Sequence, residues 1–255
     1  MLKLFKTLLF FISIVSIAHA ETSFPVVRVI DGDTIEVKIK DKIESVRLIG
    51  IQAPEIFTDP IQDFGLEAKA EVEKLLNNKN VILVWNPKFK RDKYKRILAD
   101  VYVADSNLWV NGYLVENGFA FTYILNTNPI PRVADLIALE NKAINNNLPF
   151  WQNRNYKIIS YTEAENNIGN YKVIDGNVMS VLDTKNALWL QLSAEQSKGF
   201  SLRINKDNLE NISAVHNLNN IVGKNVRVRG YIDKYSPKFG SLVEIVSPYS
   251  IEIIP

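Results

Sequence analysis

Along residues 34–40, Ile35, Val37 and Ile39 alternate with Glu36, Lys38 and Lys40. That is the period of a strand with one buried face. Asp31-Gly32 separates this run from the β-rich residues before it and predicts a turn or bulge. Ser45 to Ile49, Val81 to Trp85 and Ile97 to Val103 predict further strands. The pattern changes to helical spacing over 64–77, where Leu66, Ala70, Val72, Leu75 and Leu76 recur, with Asp63 placed to cap the start. A short helix is predicted near Val110–Glu116, ended by Gly118. A third spans 132–146, with Val133, Leu136, Ile137, Glu140 and Ile144 in register before Asn-rich residues and Pro149.

Five strands with interspersed helices suit a small closed barrel of the OB type. Residues 153–170 are polar and poor in periodicity and read as a linker. Beyond them the order is three strands (Val173–Leu182, Leu188–Leu192, Phe200–Ile204), a helix near 207–218, and two strands (Val226–Ile232, Leu242–Ile254). The fold class expected is therefore mainly β with helices (α+β). A five-stranded barrel with three helices over 21–152 precedes a smaller OB-like barrel over 171–255. Val29-Ile30-Asp31-Gly32 recurs as Val173-Ile174-Asp175-Gly176, an echo too short to establish a repeat.

The first 20 residues follow another rule. Lys3 and Lys6 precede a short apolar run, and Ala18-His19-Ala20 fits a small-residue cleavage site. This is the pattern of a secretory signal peptide, and its apolar run is too short to span a bilayer. It predicts cleavage after Ala20, a periplasmic or secreted protein and no stable membrane insertion. The chain carries 30 Lys and Arg against 28 Asp and Glu. Losing Lys3 and Lys6 leaves 28 of each, so attraction to nucleic acid must come from local patches. There is no cysteine, and of two histidines only His216 lies outside the signal segment. Thiolate chemistry and multi-histidine metal sites are excluded, and carboxylates with Arg or Lys must carry any reaction.

Three clusters have that character. Asp31-Gly32-Asp33-Thr34 brings two carboxylates to a bend, which suits Ca²⁺ or Mg²⁺ or simply a solvated turn. Arg47 through Glu55 (RLIGIQAPE) runs from a strand into a proline turn. Its Arg can fork onto phosphate and its Glu can act on a water, or the two can form an ion pair at a strand edge. In Lys88 to Arg96, six of nine residues are basic, with Phe89 and Tyr94 interleaved. Such a loop suits a phosphate backbone with aromatic stacking, or is a solvated hairpin tip.

Together these motifs resemble the thermonuclease family, whose domain is staphylococcal-nuclease-like. The carriers are Val29 to Thr34, Arg47 to Ile51 with Ala53-Pro54-Glu55, and Arg91 to Arg96. Asn111, Leu114-Val115, Gly118, Ala120 and Trp151 also match. The resemblance covers roughly 25–152 and implies Ca²⁺-dependent cleavage of DNA or RNA, single-stranded or unwound, by a monomer. It implies that Arg47 and Arg96 hold the scissile phosphate and that Glu55 positions or activates the water. Asp33 would ligate the metal with the Ala53 carbonyl, and Lys93 and Tyr94 would contact substrate. Where the family has a second metal aspartate this chain has Gln52, and where it usually has glycine between Tyr94 and Arg96 this chain has Lys95.

The second barrel offers less. Arg227 and Arg229 alternate with Val226 and Val228 and read as one exposed face. Trp189, Phe200, Tyr231 and Tyr235 are stacking candidates or core, and His216 reads as structural. Because the candidate chemistry lies before Arg154, the first barrel is expected to stand without the second. Two other readings remain open: a catalytically weak nucleic-acid-binding protein on a nuclease fold, because of Gln52, and a structural envelope protein that binds other proteins.

Overall fold

The computed structural model describes residues 22–85, 91–124, 130–193, 199–236 and 240–255. The predicted export segment lies outside them, as do Lys88, Phe89 and Lys90 of the basic run and the side chain of Tyr235. In chain order the first half runs β1 (Ser23–Val29), β2 (Thr34–Ile39), β3 (Lys42–Leu48), β4 (Ile51–Gln52), α1 (Gly65–Leu76), β5 (Asn80–Val84), β6 (Ile97–Val103), α2 (Val110–Glu116), β7 (Phe121–Thr122), α3 (Val133–Asn145) and a short α4 (Pro149–Gln152). The closed barrel has the order β1-β2-β3-β6-β5, with β3 and β6 parallel and the other pairs antiparallel. The alternation in β2 appears as expected: Ile35 and Val37 are fully buried beside Val46, Leu48, Ala99 and Val101. Ala68, Val72 and Leu76, four residues apart on α1, join that core, and α2 adds Val110, Leu114 and Val115.

Two local features differ from the sequence pattern. The residue before α1 is Phe64 in the left-handed region (φ 66°), with no side-chain cap. Asp63 instead accepts bonds from Asn153 and Asn155 at 3.0 and 3.1 Å. Gly118 does follow the end of α2, at φ 71°, where a side chain would be strained.

The second half runs β8 (Ile159–Ser160), a 3-10 turn over Tyr161–Asn167, β9 (Tyr171–Asn177), β10 (Ser180–Asp183), β11 (Ala187–Gln191), β12 (Phe200–Asn205), α5 (Lys206–Ser213), β13 (Asn225–Ser236), β14 (Gly240–Glu244) and β15 (Ile251–Ile254). Its sheet has the order β10-β11-β12-β14-β13-β9-β8, with β15 on β13. β9 and β10 are separated only by Val178 and Met179. The Val178 N–H bonds to Lys224 and that of Met179 to Gln191. The path thus starts on β10 and comes back through β13 to β9, the two parts of one bent strand, with β8 beyond it, and the parallel β12–β14 pair corresponds to β3–β6. Both halves have OB connectivity. Residues 153–170, which read as a linker, hold β8 and the 3-10 turn, and Ile159 and Ala164 enter the second core. His216, after α5, meets the Pro248 carbonyl at 2.7 Å. Among the described residues no helix is long and apolar enough to cross a membrane.

The face of β13 carrying Arg227 and Arg229 is not exposed. Arg229 is 1% exposed. Its Nε donates to Glu140 of α3 at 2.6 Å and its Nη1 to Glu252 at 2.9 Å. Arg227 pairs with Asp175 at 2.8 Å and bonds Asn141 of α3. The alternation put both arginines on one face as expected, but the first barrel covers it.

Candidate active site

Strand register brings the three motifs to one end of the first barrel. Thr34 opens β2 opposite Arg47 on β3, and Arg47 lies beside Leu98 on β6, two residues after Arg96. The bend before β2 is held by Asp31, whose Oδ1 accepts from the Asp33 N–H at 2.9 Å. The turn after β3 is fastened by β4 pairing with β7, Gln52 opposite Phe121. Buried Asn111 of α2 braces it by donating to the Ile49 carbonyl at 2.9 Å and accepting from the Val101 N–H. Bend and turn touch: Ala53 N–H donates to Asp33 Oδ2 at 2.7 Å. Gly32 allows this approach, because a Cβ there would lie 2.6 Å from the Ala53 Cβ and 2.7 Å from that of Ala68.

The predicted catalytic residues form one hydrogen-bonded chain. Arg96 Nη1 donates to Thr34 Oγ1 at 3.2 Å, and Thr34 Oγ1 donates to Asp33 Oδ1 at 3.1 Å. Asp33 Oδ2 pairs with Arg47 Nη2 at 3.0 Å. Arg47 Nη2 also donates to Gln52 Oε1 at 2.9 Å, and Gln52 Nε2 donates to Glu55 Oε1 at 2.9 Å. The partners fix the orientation of the Gln52 amide. Arg47 has only donors, so it must meet the carbonyl oxygen. The amide NH₂ then faces two acceptors, Glu55 and the Ala53 carbonyl, the latter also at 2.9 Å. Asp33 is buried beside Asp31. Burial pushes its carboxyl up to about 7, with Arg47 pulling it down and Asp31 adding to the rise.

Arg96 is held by a residue that no motif reading singled out. Asp92 Oδ2 accepts from Arg96 Nε at 2.7 Å, and its Oδ1 accepts from the Tyr94 and Arg96 N–H groups, each at 2.9 Å. Burial raises the Asp92 carboxyl, but the bonds from Arg96 and Tyr94 outweigh it and leave it below its ordinary value. The i to i+4 spacing of Asp92 and Arg96 was the available signal. Lys95 between them sits at φ 65°, the left-handed conformation that glycine adopts without strain. Tyr94 is 66% exposed. The Arg96 guanidinium lies 5.2 Å and the Lys93 Nζ 5.0 Å from its ring centre. Gln62, also missed, accepts from the Glu55 N–H at 2.8 Å and steadies the loop after the turn.

This arrangement sets two arginines and an exposed aromatic beside a carboxylate, a combination suited to a phosphate ester. A family model described as staphylococcal nuclease homologue matches residues 45–153. The chain is 38% identical over 127 residues to an uncharacterised endonuclease of Escherichia coli, covering 49% of this chain and 74% of the relative. The chain belongs to the staphylococcal nuclease family. It is also 32% identical over 147 residues to an uncharacterised protein of Methanocaldococcus jannaschii, covering 49% of this chain and 70% of that one. Against a thermonuclease of Staphylococcus hyicus the identity is 36% over 102 residues, covering 39% and 59%. The staphylococcal nuclease match ends at Asn153, before the second barrel begins. That barrel nevertheless reaches this end of the nuclease fold, because the Tyr231 and Tyr123 hydroxyls are 2.8 Å apart.

Proposed function

We propose that the protein is an exported, Ca²⁺-dependent nuclease that hydrolyses phosphodiester bonds of single-stranded or unwound DNA or RNA. The observation that carries this is the continuous chain Arg96–Thr34–Asp33–Arg47–Gln52–Glu55. In the proposed reaction Arg47 and Arg96 bind the phosphate and stabilise the charge that grows on its oxygens in the pentacoordinate state. Their partners hold them in place beforehand, which makes such stabilisation effective. Glu55 accepts a proton from the attacking water as the new P–O bond forms and the old ester bond breaks. The departing oxygen takes up a proton from solvent, and Glu55 releases its own to solvent. Tyr94 and Lys93 line the approach. Export rests on the pattern of residues 1–20 alone.

The Asp31 and Asp33 carboxylates and the Ala53 carbonyl are oxygens that a hard cation would take, on displacing Arg47 from Asp33 and the Gln52 amide nitrogen from the Ala53 carbonyl. We assign Asp33 and Ala53 as ligands, with Gln52 supplying a neutral oxygen only on release from Arg47. Among the described residues no three His, Cys, Asp or Glu side chains converge as a metal-holding group, so substrate phosphate and water would complete the shell. Bound there, Ca²⁺ would neutralise phosphate charge. The test is incubation of the mature protein with single-stranded DNA and RNA, with Ca²⁺ or with a chelator. Fragments with Ca²⁺ alone support the reading. A mobility shift without fragments would instead favour the catalytically weak binder.

A further inference from the structure

The outer face of β13 runs along the first barrel and then leaves it. Arg227, Arg229 and Tyr231 alternate on that face. The two arginines are bonded to α3, whereas Tyr231, two residues further on, is 43% exposed. Its hydroxyl meets that of Tyr123, and its ring is nearly perpendicular to that of Tyr171 (83°), with centres 5.5 Å apart. Tyr123 belongs to the active-site turn: its N–H donates to the Gly50 carbonyl at 2.8 Å, between Arg47 and Gln52. Tyr171 lies 4.8 Å from Tyr123 and 5.6 Å from Phe121, and Phe121 lies 6.3 Å from Tyr156. The charge of Arg47 acts on Tyr123 and that of Glu55 on Tyr156. A row of aromatic rings therefore leads from the flank of the nuclease site onto the second barrel and ends in a half-exposed ring.

We propose that Tyr231 is a substrate-positioning residue: its ring stacks on a base of the single strand whose scissile phosphate lies at Arg47 and Arg96. This rests on the nuclease reading above and adds a contribution from outside the family's domain. Three features favour a nucleic acid as occupant. The ring is continuous with the proposed phosphate site through Tyr123. Its hydroxyl is already held by Tyr123 and its ring packs on Tyr123 and Tyr171, so little side-chain freedom remains to be lost on binding. A base–aromatic stack also tolerates any sequence, as an unspecific nuclease requires.

The experiment measures binding, so it does not depend on turnover. The parent is the full mature chain carrying Glu55→Gln, with Tyr231→Leu and Tyr231→Phe added separately. The probes are a labelled thymidine dinucleotide and a labelled oligothymidylate of about eight nucleotides, one OB-fold site in length. The leucine variant should lose about tenfold in affinity for the longer strand, within the range for one stacked base, and nothing for the dinucleotide. The phenylalanine variant should bind both like the parent, since it keeps the ring. An unchanged affinity of the leucine variant for the longer strand, or equal losses on both probes, overturns the role of Tyr231 while leaving the nuclease reading intact. Failure of the parent to bind either probe overturns both.

Discussion

Gln52 places its amide nitrogen 2.9 Å from Glu55 Oε1 while its oxygen accepts from Arg47, so it bridges the proposed base and a proposed phosphate-binding arginine. The same nitrogen donates to the Ala53 carbonyl, a proposed ligand. Replacing Gln52 with Asp removes both bonds and supplies a carboxylate beside Asp33 and Glu55. The expected outcome is a lower Ca²⁺ concentration for half-maximal cleavage, because Ca²⁺ affinity follows ligand charge. Without metal the variant should melt at a lower temperature and recover as Ca²⁺ is added. Identical Ca²⁺ titrations of rate and melting temperature for both forms would place Gln52 outside the metal site.

The Arg229–Glu140 pair predicts that the barrels stabilise one another. Both side chains are buried, and Glu140 also accepts from the Thr122 N–H at 2.7 Å. Removing one partner of a buried pair strands the other charge and costs about 3–5 kcal/mol. Arg229→Ala should show a loss of that order in urea denaturation. Residues 21–155 alone should melt well below the full chain, contrary to the independence expected from the positions of the catalytic motifs. A truncated chain with the melting temperature of the full protein would contradict this.

How much of this was legible follows from which residues carry a period. β2 was, because Ile35 and Val37 repeat at its spacing; α1 was in extent and at Val72 and Leu76, whereas Leu66 and Ala70 of the same pattern face outwards and Ala68 takes the inner position. The 3-10 turn after β8 has no such period, so a polar stretch with few apolar anchors read as a linker. Alternation told that Arg227 and Arg229 share a face but not what lies over it. The clue was on the other side: Glu140 falls in register with Leu136 and Ile137 on the buried stripe of α3. A carboxylate at such a position needs a buried partner. The site motifs were legible residue by residue. The Gln52 bridge, the Asp92 clamp and the tyrosine contact between barrels arise from side-chain geometry that spacing does not encode.

Gly32 should tolerate no side chain. A methyl group there would press on Ala53 and Ala68 at distances real Cβ atoms essentially never show. Gly32→Ala should therefore separate the Asp31–Asp33 bend from the Ala53 turn. The expected result is destabilisation of about 1–3 kcal/mol with cleavage reduced further than the remaining folded fraction explains. Wild-type stability and rate in this variant would contradict the packing described.

Asp100 predicts a pH dependence. It is 1% exposed and accepts from Trp109 Nε1 at 2.9 Å. Burial raises its carboxyl to about 6 despite the Trp109 bond and the Arg132 charge. The folded state then binds the proton more tightly than the unfolded chain, so stability rises as pH falls from about 6 towards the ordinary aspartate value of about 4. The penalty for the charged form is complete above pH 6. Asp100→Asn keeps an acceptor for Trp109 and should gain about 1–3 kcal/mol at pH 8 and little at pH 4. An equal effect at both pH values, in melting curves, would mean that Asp100 is not held in this way.

The most direct test of the active site is single-turnover cleavage of a labelled single-stranded DNA, with Ca²⁺ present, by residues 21–255 of the wild type and by the same residues carrying Glu55→Gln. The substitution keeps the size of the side chain and an oxygen for the Gln52 amide, and removes the base. The wild type should produce fragments, and Glu55→Gln should bind the same strand but cut it about 10²–10⁴-fold more slowly. Cleavage by Glu55→Gln at the wild-type rate would contradict the assignment of the chemistry to this carboxylate and its two arginines.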